Sequence, residues 1–145
     1  MINLMYVVLM ALLALNVSSE VLNGFSIVED SLNRTTGNSS KQNLTIYQTF
    51  EEQMKANPQK TKVWYDKAQQ VKQMSDSLYN LAMELKTAIV READGKDGDI
   101  HDIKNKEDLE AANQVMLAPG SGRGGELYKA INAFRQRMLT MVTDE

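Results

Sequence analysis

The sequence predicts an all-α protein, with a single N-terminal transmembrane helix that continues into a helical bundle. Three observations lead there. The opening stretch MINLMYVVLMALLALNV is apolar except for Asn3, Tyr6 and Asn16. Downstream, apolar residues recur at steps of three and four, the repeat of a helix face. No run alternates with the period of two that a half-buried strand requires.

The apolar run comes first. Seventeen helical residues span roughly 25 Å, a little short of the ~30 Å hydrocarbon core. A secretory signal peptide would carry a basic start and a small-residue cleavage site, and neither flanks this run. A core helix that is apolar on every side needs a larger protein around it than 145 residues supply. A transmembrane helix is the reading that remains. The nearest basic residues after it are Arg34 and Lys41, with Glu20, Glu29 and Asp30 closer. That distribution is compatible with an extracytoplasmic far side.

A stalk follows. Val17, Val21, Phe25, Val28 and Leu32 step by 4, 4, 3 and 4, which makes one helical seam to about Leu32. The seam could pack on the chain's own domain or pair two copies. Its place directly above a lone membrane helix favours a parallel pair. Residues 1–32 are thus membrane helix and stalk, and 33–145 the bundle domain.

Within the bundle, NRTTGNSSKQN (residues 33–43) is polar, contains Gly37, and reads as a loop. Leu44, Tyr47, Phe50 and Met54 share a helix face that Asn57-Pro58 ends. A long helix over about 60–93 carries Trp64, Val71, Met74, Leu78, Leu81, Leu85 and Ala88. DGKDGDIHD (residues 94–102) is a Gly/Asp loop. A short helix through Leu109, Ala112 and Val115 comes next, then a Gly-rich segment over 119–125. The last helix, from about Glu126, has Leu127, Ile131, Phe134 and Met138 in register. MVTDE leaves it without a stop signal, so a longer protein is expected.

Composition narrows function more than it defines it. A formal charge of −3 supplies no basic field for nucleic acid. Zero cysteines exclude disulfides and thiolate chemistry. Gly120, Gly122 and Gly125 have G-x-G-x-x-G spacing, but that fingerprint needs a strand before it, and here a helix and Pro119 precede a flexible inter-helix loop. Asp94, Asp97, Asp99 and Asp102 lack the offsets and closing glutamate of a calcium loop. His101 is the single histidine, so no histidine-pair metal site can be built, and its place in the acidic loop reads as exposed. Sequons at Asn16, Asn33, Asn38 and Asn43 matter only in a eukaryotic secretory protein. No cofactor, metal or enzyme site is expected. Asn3, Tyr6, Asn16 and Glu20 are the candidate partner contacts, since polar groups in or beside a membrane helix seek protein or an aqueous path. The alternative puts Asn3 and Tyr6 at the headgroup level of the inner leaflet and Glu20 at that of the outer one.

The stretch MINLMYVVLMALLALNVSSEVLNGF resembles the start of the GldM/PorM family. Asn3, Met5-Tyr6, the LALN ending at Asn16, and Glu20-Val21-Leu22 carry the likeness, and EDLEAANQVML (residues 107–117) is similar to the family's first periplasmic domain. The resemblance implies an inner-membrane subunit of the proton-motive-force-driven motor of bacterial gliding motility and type IX secretion. It implies a cytoplasmic N-terminus and a periplasmic bundle, the first of several such domains. It implies a homodimer whose two helices sit in a pentameric ring of a small two-helix partner, GldL- or PorL-like, and periplasmic and outer-membrane secretion components beyond. The family's short basic tail upstream is not matched here. Two other classes compete: a passive membrane-anchored scaffold, and a sensor that binds a ligand in its helical bundle.

Overall fold

The computed structural model describes residues 2–108 and 110–143, and every side chain among them except those of residues 14–19. Four helices account for nearly all of it: α1 (Ile2–Ala56), α2 (Pro58–Asp94), α3 (Glu110–Leu117) and α4 (Gly124–Thr143). The all-helical expectation holds; among the described residues the sole bridge is an isolated one between Asp99 and Asp102. Two compact units are present, Met1–Thr49 and Phe50–Glu145.

The first unit is helix throughout its described length, and this corrects the expected loop over 33–43. Composition alone pointed to a loop, but nothing there breaks a helix. The two prolines lie elsewhere, and Gly37 costs only about 1 kcal/mol relative to alanine. Threonine hydroxyls, able to compete with the backbone, bond back within the helix instead, Thr35 Oγ1 to the Ser31 carbonyl at 2.9 Å and Thr45 Oγ1 to that of Lys41 at 3.2 Å. The stalk therefore passes through Leu32 without a boundary. Among the described residues, no helix is long and apolar enough to cross a membrane.

In the second unit the proline rule works as expected. Pro58 occupies the first turn of α2, where its missing N–H costs nothing, and Asn57 caps that helix by accepting from Lys60 N at 3.3 Å. Only this one residue separates α1 from α2, and backbone bonds run into and out of it: Asn57 N to Gln53 O and Thr61 N to Asn57 O. α2 ends at Gly95, whose φ of 90° suits glycine. α2 and α4 run antiparallel: Lys67 Nζ reaches the Met141 carbonyl at 3.1 Å, and Arg123 reaches Glu84 at the opposite end. The short α3 packs against both. Its packed face is Ala111, Val115 and Met116, while Ala112, expected on the seam, is exposed; Leu109 lies outside the described residues. On α4 the packed face is Leu127, Ala130, Phe134, Met138 and Met141, so Ile131 falls just off it.

Candidate functional site

Two surfaces stand out, and the first is α1 itself. Every described side chain from Ile2 to Leu13 is exposed, with Ile2, Leu4 and Met5 each above 70%. The expected seam continues in the same state: Val21, Phe25, Val28 and Leu32 are all at least half exposed. These four side chains thus form an open apolar stripe along the described part of α1. Asn3 and Tyr6 are exposed, and the steps Asn3, Tyr6, Met10, Leu13 carry the seam's spacing back to the start of the helix. Glu20 is exposed beside the stripe. The side chains of Asn16 and Val17 lie outside the described residues.

The second surface belongs to the helical unit. Between α2 and α4 an open groove of about 760 Å³ is floored by Met74, Leu78, Leu81 and Phe134, with Ala130 and Ala133 on one wall. Gln73, Ser77, Glu126 and Arg137 supply its polar rim. The apolar side chains on α2 were legible as a helix face; that they stay half open was not.

The two loops are held by bonds of their own. Asp94 ends α2, where a carboxylate faces the negative end of the helix dipole. It is held there by work elsewhere: its oxygens accept from Lys104 N and Asn105 N at 2.8 Å each. Those backbone bonds, Lys104 first, hold its carboxyl below the usual aspartate range. The acidic loop is thus closed onto its own helix, and among the described residues no group of acids or histidine is gathered for a metal.

The glycine segment is a bonded turn, tighter than the flexible loop expected. Gly122 N donates to Ala118 O at 2.8 Å and Arg123 N to Val115 O at 2.9 Å. A Cβ at Gly122 would meet the backbone of Met116, Leu117 and Ala118 at 2.8 Å, and one at Gly124 would meet Met116 O at the same distance. These glycines let the turn lie close against the end of α3. Arg123, which sequence reading passed over, bonds Glu126 through Nε at 2.9 Å and Glu84 through Nη1 at 2.8 Å, and both carboxylates hold its guanidinium firmly charged.

A comparison with family models matches residues 20–145 to the GldM N-terminal domain. The chain belongs to the GldM family. The matched region begins at Glu20, so it is independent of most of the apolar stretch that carries the resemblance. Membership ties the chain to the gliding-motility and type IX secretion machinery, and to a structural or motor part in it. A comparison with curated proteins found no match.

Proposed function

We propose that this chain is a motor component of that machinery, in which proton flow through a partner ring moves the helical domain outside the membrane. The observation that carries the proposal is the uncovered apolar start of α1. A helix apolar on all sides, with every described side chain from Ile2 to Leu13 open, has no place in water. Lipid and other helices are the environments that suit it. The described apolar part alone is too short to cross, and in this reading the apolar sequence through Val17, whose last side chains lie outside the described residues, completes a span from a cytoplasmic N-terminus to a periplasm reached beyond Glu20.

A proton path needs an ionisable group at membrane depth, and moving one charge is worth ~2.3 kcal/mol per 100 mV. No Asp, Glu, Lys, Arg or His lies between Ile2 and Ser19. The carboxylate consequently belongs to the partner, the ring of a small two-helix membrane protein that the resemblance implies. Two copies of α1 sit in that ring, paired through Val17, Val21, Phe25, Val28 and Leu32. Asn3 and Tyr6 are polar contacts of the pair with each other and with the ring, and Asn16 and Glu20 meet partner groups at the outer boundary. Because α1 continues without interruption past Gly37, displacement at the membrane end is carried toward the periplasmic domain and the outer-membrane components beyond.

The test is replacement of Asn3 and Tyr6 by leucine in the full-length protein in its own cell. Both changes keep the helix apolar. A motor contact predicts normal membrane insertion and expression with loss of secretion or gliding. Unchanged secretion and gliding would reduce the helix to a tether and favour the scaffold reading.

A further inference from the structure

We propose that the groove between α2 and α4 is filled by residues 44–54 of α1 from a second copy of this chain, lying parallel to α4. The inference rests on the dimer reading above and deepens it by naming where the two periplasmic domains engage.

The helical unit is underfilled as it stands. Among the described residues, the buried apolar side chains are Leu85, Val90 and Ala111, all near the α3 end. Toward the other end α2 and α4 pack as a bare pair, and each leaves part of its apolar face open to the groove. A helix pair becomes a stable layer when further helices close that side. Ser77, Ala130 and Ala133 keep the walls low, which lets a third helix axis approach closely.

The face that fits is on α1. Leu44, Tyr47, Phe50 and Met54 form an amphipathic stripe about 15 Å long, close to the span from Glu126 to Arg137 along α4. Phe50 and Met54 belong to the same unit as the groove, yet neither lines it. The reason is the connection: helix hairpins need roughly two to five loop residues, and Asn57 alone, bonded on both sides, separates α1 from α2. A second copy, which the dimer reading already brings alongside, supplies the stripe.

Charge sets the direction. Lys41 lies within a turn of Leu44, and Glu51 stands at the edge of the stripe beside Phe50. The groove carries Glu126 at one end and Arg137 at the other, with nearly the same separation. Parallel to α4, Lys41 approaches Glu126 and Glu51 approaches Arg137. Reversed, like charges meet at both ends. The favoured register brings Tyr47 level with Ala133.

The chain contains no cysteine, so site-directed disulfides read this directly. Two differently tagged full-length copies, one carrying Tyr47→Cys and the other Ala133→Cys, are co-expressed and oxidised in membranes. The proposal expects a disulfide joining the two tags. Arg137→Glu should lower its yield about threefold, on the scale of an exposed ion pair, and Glu51→Arg should restore it. Tyr47→Cys chains joining only each other would overturn the proposal, as would a bond that forms only when both cysteines are in one chain. A separate Phe25→Cys copy reads the dimer. Self-linking there without the Tyr47–Ala133 bond leaves the dimer intact and removes the groove contact. Linking at neither place removes both.

Discussion

Arg123 Nη1 lies 2.8 Å from a carboxylate oxygen of Glu84, although the two residues are 39 positions apart in the chain. The same guanidinium donates through Nε to Glu126. One side chain thus fastens the glycine turn to α2 and to the first turn of α4. Because Glu84 is well exposed, the link aligns helices more than it stabilises them. Arg123→Met should lower the melting temperature slightly, by an amount that shrinks as salt rises. Arg123→Lys should recover only part of it, since an ammonium cannot bond two carboxylates in a fork. Thermal melts at two salt concentrations check both statements.

The glycine turn yields a sharper contrast. Gly122→Ala places a Cβ 2.8 Å from three backbone atoms that cannot give way, and overpacking of this kind costs about 1–3 kcal/mol. Gly125→Ala meets nothing within 4 Å and lies at the start of a helix, so it should be neutral or slightly stabilising. Denaturant unfolding of the two variants should separate them clearly.

Asp94 makes stability depend on acid. Its carboxyl titrates below the usual value of about 3.9 because the backbone N–H groups of Lys104 and Asn105 bond the charged form. A lowered folded value means the unfolded chain takes up the proton first as pH falls. The stabilisation is therefore fully present above the ordinary aspartate range and is lost as pH drops through the folded value. Asp94→Ala should melt lower than the parent at pH 7, and the difference should shrink as pH falls below the ordinary aspartate range.

Much of this was legible in the sequence, and the failures have physical causes. Asn57-Pro58 located a helix boundary because a proline ring forbids the preceding turn to continue. Steps of three and four found α2, α3 and α4 for the same reason that helices bury one face. The segment over 33–43 misled because polar composition signals exposure, and an exposed helix is as polar as a loop when no residue breaks it. Ala112 and Ile131 misled by one position, where neighbouring small or apolar residues, Ala111 and Ala130, offered the packing face instead. The groove between α2 and α4 left no local mark. It arises because two helices far apart in sequence meet along only part of their apolar faces.

Gly37 tests whether continuity of α1 matters. Gly37→Ala removes a helix-weakening residue from an open site and should stabilise α1 by up to ~1 kcal/mol without harming function. Gly37→Pro should kink or break the helix there, at ~3 kcal/mol or more. If α1 carries displacement from the membrane, the proline variant should insert and accumulate normally yet fail to secrete or glide. Secretion that survives Gly37→Pro would remove α1 continuity from the mechanism.

In the proposed motor α1 works inside a ring supplied by another protein. The most direct measurement is the mass of the complex extracted in detergent after co-expression of the full-length chain with the small two-helix membrane protein. The motor reading predicts one particle holding two copies of this chain and a ring of the partner. A monomer or a simple dimer free of the partner would contradict it, and would leave a helical domain tethered to the membrane.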